Sequence, residues 1–175
     1  MILLEFNDAE QENDSRVMLK AFFPEAKIVT SIPENADEAP ELFVQVRVIR
    51  QELAGSDNAD CDRLIRIYFH RDSTDRWDEY EDEAQQMASG KKEARNVFKR
   101  MMYDMLKMLT GRELPWGTLT GVRPTKIVYT LLEDGKNDHE IRDYLKKEYY
   151  VSEKKGDFAI KVASNEKRLL EKLDY

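Results

Sequence analysis

Apolar and polar residues alternate along two stretches in the first half of the chain. Within residues 43–51, valine occupies positions 44, 46 and 48, and within residues 63–71, isoleucine or phenylalanine occupies positions 65, 67 and 69. A period of two is typical of half-buried strands. The linker between the two stretches is polar and rich in turn-forming residues, so we predict that they pair as a hairpin.

The other elements follow from helical spacing and from stop signals. The strongest helix is predicted over 91–109, where one broad apolar stripe faces away from the Lys and Arg residues. Four methionines in this helix allow two interpretations, a stripe packed in the core or an adaptable binding groove. Further strands are predicted at 2–6 and 27–32, and further helices at 8–23, 77–87, 125–132, 138–148 and 153–173.

These elements predict an α+β fold. Residues 1–112 should form a mainly antiparallel sheet of about four strands with helices packed on one face. Residues 113–175 should form a small helical extension, because their pattern is helical throughout. We place the boundary near residues 111–116, where glycine and proline interrupt the helical periodicity.

The composition excludes several classes of protein. Hydrophobic residues make up 41% and charged residues 36% of the chain, and no apolar run approaches the roughly 20 residues that span a bilayer. Cys61 is the single cysteine, so an internal disulfide is impossible and a reducing cytoplasm is expected. With His70 and His139 far apart in sequence, the chain cannot supply the ligands of an iron–sulfur cluster or a structural zinc site by itself. Phosphate-loop, zinc-protease and nucleophile-elbow motifs are absent, which indicates a non-catalytic binding or scaffold domain.

Charge is unevenly distributed along the chain. Residues 1–89 carry nine Lys or Arg and 21 Asp or Glu, whereas residues 90–130 carry nine and three. A basic centre in a chain of net charge −7 suggests contact with an anion. The alternative is intramolecular, in which the basic helix faces the acidic segment that precedes it.

One face of the predicted hairpin also carries polar and basic side chains. Arg47, Arg66, Tyr68 and His70 fall on the side opposite to the valines and isoleucines. This set can bind an anion or a nucleic-acid backbone. An ordinary solvated face of an antiparallel sheet has the same composition, and we favour that interpretation.

A short turn before the third predicted helix combines several unusual residue types. Residues 116–126 read W-G-T-L-T-G-V-R-P-T-K. The turn resembles the W-G-x-L-T-G-[IV]-R-P-T-K segment of the Z-type oxygen-independent coproporphyrinogen III oxidases, also called coproporphyrinogen dehydrogenases. The resemblance continues through residues 131–135, 150–155 and 165–167, and covers about a third of the chain.

The resemblance implies the N-terminal region of a radical S-adenosylmethionine enzyme of haem biosynthesis. Such enzymes convert two propionate side chains of coproporphyrinogen III to vinyl groups with loss of carbon dioxide, which gives protoporphyrinogen IX. Their 4Fe–4S cluster is held by a C-x-x-x-C-x-x-C loop of a barrel domain, and this chain has no such loop. The implied partners are therefore the catalytic barrel of the same polypeptide and, through it, the porphyrinogen. The resemblance implies no catalytic residue, metal ligand or cofactor in the chain itself, and leaves the cluster and S-adenosylmethionine to the barrel.

Four residues of the turn are candidates for ligand binding: Thr120, Gly121, Arg123 and Lys126. They cluster donors at the start of a predicted helix, where free N–H groups and the helix dipole favour an anion. We hypothesise that they bind a carboxylate, either a substrate propionate or an acidic residue of the barrel. The alternative is a structural corner, with the tryptophan as a packing plug and the proline at the first helical position.

A second class of function is a stand-alone module that binds an anion, RNA or another protein. The basic helix and the arginine-bearing sheet face favour it. The net charge of −7 and the lack of clustered aromatic residues on that face argue against RNA. We therefore expect neither a nucleic acid nor a membrane as a partner.

Overall fold

The structure is a computed structural model of the 175-residue chain. It describes residues 1–32, 39–51, 62–71, 82–120 and 123–172. The chain divides into two compact units, Met1–Arg112 and Glu113–Tyr175. The hairpin linker and the first half of the helix predicted at 77–87 lie outside the described residues.

The first unit contains a five-stranded sheet in the order β2-β1-β3-β4-β5. Its elements are β1 (Ile2–Phe6), α1 (Glu10–Phe22), β2 (Ile28–Val29), β3 (Leu42–Gln51), β4 (Asp62–Arg71), β5 (Asp82–Ser89) and α2 (Gly90–Thr110). β1 pairs in parallel with β2 and β3, whereas β4 pairs antiparallel with β3 and β5.

The α+β class is thus confirmed, but two details of the sheet prediction are corrected. The sheet has five strands instead of about four, and it is mixed instead of mainly antiparallel. The parallel β1–β2 pair arises because α1 returns the chain to the end of the sheet where β1 began, and β3 runs in the same direction.

The extra strand, β5, replaces the second half of a predicted helix. Its sequence, D-E-A-Q-Q-M-A-S, has no β-branched or aromatic residue and contains several good helix formers. Eight residues of β5 nevertheless pair with β4, from Asp82 opposite Phe69 to Ser89 opposite Asp62. Pairing with a neighbouring strand therefore overrides the local propensity.

The core of the first unit lies on one face of the sheet, called here the inner face. Val44, Val46, Ile65, Ile67 and Phe69 are at most 1% exposed on that face. The helix stripe is confirmed as core, since α2 contacts β4 and β5 and buries most of its apolar residues. The exceptions are the half-buried Leu109 and the exposed Met108. The buried apolar residues of the two helices are Met18, Leu19, Phe22, Ala94, Val97, Phe98, Met101, Met102, Tyr103, Met105 and Leu106. Gly111, with φ of 65°, ends α2 in the left-handed conformation that glycine permits.

The second unit consists of three helices around a small core. They are α3 (Pro124–Glu133), α4 (Asp138–Tyr149) and α5 (Glu153–Glu171). α4 is capped by Asn137, which forms a reciprocal capping box with Glu140. The core residues are Leu119, Val128, Ile141, Leu145, Val151, Ala159, Ile160 and Ala163.

Candidate functional site

The first half of the candidate turn, residues 116–119, is a structural corner. Gly117 has φ of 55°, and a Cβ atom at this position would lie 1.9 Å from the carbonyl oxygen of Tyr149. The Thr118 N–H donates to the same carbonyl at 2.8 Å. A residue with a side chain does not fit at 117, because the backbone at the end of α4 occupies its space. This half of the turn therefore serves the fold.

Packing around the corner agrees with that role. Leu119 is buried in the core of the second unit. Trp116 meets Phe158 of α5 edge to face, with ring centroids 6.5 Å apart. The Lys155 ammonium lies 5.2 Å from the centre of the Trp116 ring, within range of a cation–π interaction. The tryptophan is therefore a partly buried plug, as the structural alternative predicts.

The second half of the turn leads into α3 and exposes its cations. Arg123 occupies the N-cap position with an extended backbone, and Pro124 follows at the first helical position. The Lys126 N–H donates to the Arg123 carbonyl at 3.1 Å. Thr120 is half-buried, whereas the side chains of Arg123 and Lys126 are exposed, and Gly121 lies outside the described residues.

The two exposed cations have no acidic neighbour in the described part of the chain. Neither Arg123 nor Lys126 forms an ion pair there. Both stand at the N-terminal end of α3, where the helix dipole is positive. A guanidinium and an ammonium group in this position can bind a carboxylate or a phosphate.

The basic residues of α2 are engaged differently. Lys91 Nζ lies 2.6 Å from Glu10, and Arg95 and Lys99 both contact Asp14, with Lys99 Nζ at 3.2 Å. These acids belong to α1, the acidic helix that precedes α2 in the chain. The intramolecular interpretation of the basic segment is therefore confirmed for these three residues of α2.

Asp14 is the centre of this charged cluster. Burial alone would raise the pKa of its carboxyl group, but the hydrogen bond from Arg95 and the charges of Lys99 and Arg95 outweigh burial. The pKa of Asp14 consequently lies below its ordinary value. The carboxylate is therefore a stabilising part of the α1–α2 contact at neutral pH.

The polar face of β3 and β4, called here the outer face, is only partly solvated. Arg47 and Ile49 are exposed, as a solvated face predicts. Phe43 and His70, opposite each other at the other end, are each 7% exposed. The solvated interpretation is thus correct for one end of this face and wrong for the other.

Arg47 and Arg66 stand directly opposite each other on the outer face. Arg66 is half-buried, and Tyr68 lies one row away opposite Gln45. The sequence pattern placed these side chains on one face but did not predict the register that brings the two arginines together.

The inner face holds a second arginine pair that sequence reasoning missed. Arg63 is 6% exposed and stands opposite Arg50. Asp8 lies 2.7 Å from Arg50. Although burial raises the pKa of Asp8, hydrogen bonds from Glu10 and Arg50 and the charges of Arg50 and Arg63 lower it below its usual value. The period of two in β4 is the signal that could have placed Arg63 on the inner face.

The described residues contain neither a candidate metal site nor a helix that could span a membrane. No group of three or more His, Cys, Asp or Glu side chains within the described ranges could hold a metal ion. Among the helices of the same ranges, none combines the length and the apolar character needed to cross a membrane.

Comparison with known proteins gives one partial similarity. A segment of 64 residues, 37% of the chain, is 33% identical to the oxygen-independent coproporphyrinogen-III oxidase-like protein HemZ of Bacillus subtilis. The matched segment spans 13% of the length of that protein. No protein-family model matches the chain, and no solved structure gives a significant match.

Proposed function

We propose that the chain is a non-catalytic accessory region of a radical S-adenosylmethionine enzyme that acts on coproporphyrinogen III. The parent reaction would be the oxidative decarboxylation of two propionates to vinyl groups, giving protoporphyrinogen IX. The 33% identity to HemZ over 64 residues carries this proposal. Since a single cysteine in 175 residues cannot hold a 4Fe–4S cluster, the cluster and S-adenosylmethionine would be bound by a catalytic barrel elsewhere in the parent polypeptide.

The role of the region would be to support or gate that barrel. Arg123 and Lys126 are the residues that we assign to this role, as binders of a carboxylate from the porphyrinogen or from the barrel. Their exposure and the absence of acidic partners in the described chain support the assignment. The corner at Gly117 packs against the backbone at the end of α4 and would help to position both cations.

The activity is tested on the full-length protein that contains this chain. Under anaerobic conditions with S-adenosylmethionine and a reductant, we expect coproporphyrinogen III to be converted to protoporphyrinogen IX. The product is oxidised to the porphyrin and measured by its fluorescence. Absence of conversion by a protein with its cluster intact would contradict the proposed function.

The site is tested by removing its two charges. We expect Arg123→Gln with Lys126→Gln to reduce kcat/KM about tenfold or more, because each charged hydrogen bond to a carboxylate is worth about 1.5–3 kcal/mol. Lys154→Gln is the matched control, since Lys154 is an exposed cation of α5 with no described ion pair. Equal kinetics in the double variant, the control and the wild type would remove the ligand role and leave a structural corner.

A further inference from the structure

The outer face of the sheet holds two guanidinium groups in an unfavourable arrangement. Arg47 of β3 and Arg66 of β4 occupy directly opposite positions. Opposite residues of an antiparallel pair have Cβ atoms about 5 Å apart, and like charges at such positions destabilise the sheet. A nearby acid or a bound anion would offset this repulsion.

Among the described residues, neither Arg47 nor Arg66 forms an ion pair, and Nε of Arg66 is buried without a hydrogen-bond partner. A buried donor without a partner costs free energy. The inner face shows the contrast, because Arg50 stands opposite Arg63 but contacts the Asp8 carboxylate.

The neighbouring rows of the outer face differ in character. On one side of the arginines, Ile49, Leu64 and Met87 align across three strands, and Ile49 and Met87 are each 43% exposed. The row on the other side is polar: Gln45 donates to Glu5 at 3.1 Å, and Glu83 lies at its far end, opposite Tyr68. The arginine pair therefore lies between an apolar row and a polar row that includes two acids.

We propose that Arg47 and Arg66 form a binding site for a small organic anion with an apolar body. A carboxylate or phosphate group would accept hydrogen bonds from both guanidinium groups, and the body would cover the apolar row. Planar guanidinium donors suit either oxyanion. A long polyanion does not fit, because Glu5, Glu83 and the net charge of −7 repel it.

The test uses the purified 175-residue chain and 1-pyrenebutyrate, which combines a carboxylate with an apolar fluorescent body. In a fluorescence titration at low salt, we expect it to bind about tenfold or more tightly than the neutral 1-pyrenebutanol. Arg47→Gln and Arg66→Gln should each weaken binding about tenfold, while Lys92→Gln, an exposed charge on α2, should change it less than about twofold. Equal binding of the acid and the alcohol, or equal losses in all three variants, would overturn the site.

Competition against bound 1-pyrenebutyrate at matched ionic strength identifies which oxyanion the site prefers. Displacement by citrate supports a carboxylate ligand, and displacement by pyrophosphate supports a phosphate ligand. Displacement by neither overturns the proposal, and displacement by an oligouridylate alone replaces it with an RNA surface.

A charge reversal separates binding from folding. Arg47→Glu creates an opposite-charge pair with Arg66, so we expect the thermal midpoint to rise or stay unchanged while binding of 1-pyrenebutyrate is lost. Arg66→Lys keeps the charge but loses the forked donor, and should lose about threefold or more in affinity. Undiminished binding in the folded Arg47→Glu variant would overturn the proposal.

Discussion

Two regions of the molecule draw their cations from the same basic segment and use them differently. Along α2, Lys91, Arg95 and Lys99 meet the acids of α1. At the start of α3, Arg123 and Lys126 are exposed and meet no acid in the described chain. A basic stretch of sequence therefore does not define a binding surface. What distinguishes the two regions is whether the fold supplies the counter-charge.

The most direct way to break this comparison is to remove the corner that precedes α3. We expect Gly117→Ala to destabilise the second unit by at least about 3 kcal/mol, because alanine at positive φ costs about 1–2 kcal/mol and its Cβ would also clash with the Tyr149 carbonyl. Urea unfolding followed by the fluorescence of Trp116, in a Trp77→Phe background, measures the loss.

Gly135→Ala is the control for this change. Gly135 has φ of 76°, but a Cβ there meets no atom within 4 Å. We therefore expect only the backbone cost of about 1–2 kcal/mol. Similar losses in both variants would show that the close approach to Tyr149 contributes little.

The α2 side of the comparison is tested by removing the acid of α1 that its cations contact. We expect Asp14→Asn to destabilise the first unit by about 2 kcal/mol, because it leaves Lys99, 13% exposed, without its carboxylate. Screening limits the contribution of the more exposed Arg95. Glu12→Gln, which breaks a half-exposed pair with Arg16 on the same helix, should cost at most about 0.5 kcal/mol. Equal costs in the two variants, measured by urea unfolding, would contradict the special position of Asp14.

The contact between Asp14 and Lys99 also predicts that the stability of the first unit depends on pH. The pKa of Asp14 is lower in the folded chain than in the unfolded chain. Its stabilisation is therefore fully present above the unfolded pKa of about 3.9 and is lost as the pH falls through the lower folded value. The stability difference between the wild type and Asp14→Asn should shrink from pH 7 to below about pH 4. A constant difference over that range would contradict the assignment.

The smallest effect is expected at α3. Replacing both Arg123 and Lys126 with Gln should change stability by no more than about 0.5 kcal/mol, since both side chains are exposed and form no described ion pair. A loss above about 1 kcal/mol in thermal unfolding would show that these cations serve the fold, as those of α2 do.

Local patterns in the sequence predicted most elements of the fold. β1, β3 and β4 were predicted to within a residue at each end because alternation is a property of neighbouring residues. The stop of α2 at Gly111 and the first turn of α5 after Ser152 follow from equally local signals. The α2 stripe was recognised as core for the same reason.

Features that depend on tertiary pairing were not predicted. β5 was interpreted as helix because its sequence favours one, and only its pairing with β4 makes it a strand. The parallel position of β1 depends on contacts across about 40 residues. The same distinction applies to the candidate site. The turn could be recognised from the sequence, but which cations meet an acid depends on the contact between α1 and α2.

The position of β1 in the sheet has a consequence for synthesis of the protein. Among the described strands, β1 leaves the ribosome before the others, yet its main partner begins 40 positions later, with Ile2 opposite Leu42. During translation its backbone donors and acceptors wait for β3, whereas β4 and β5 each pair with the strand made just before them. Closing the longer loop costs more chain entropy. β1 is thus expected to wait longer for its main partner than β4 or β5 waits for its own, and during that interval it is open to a chaperone.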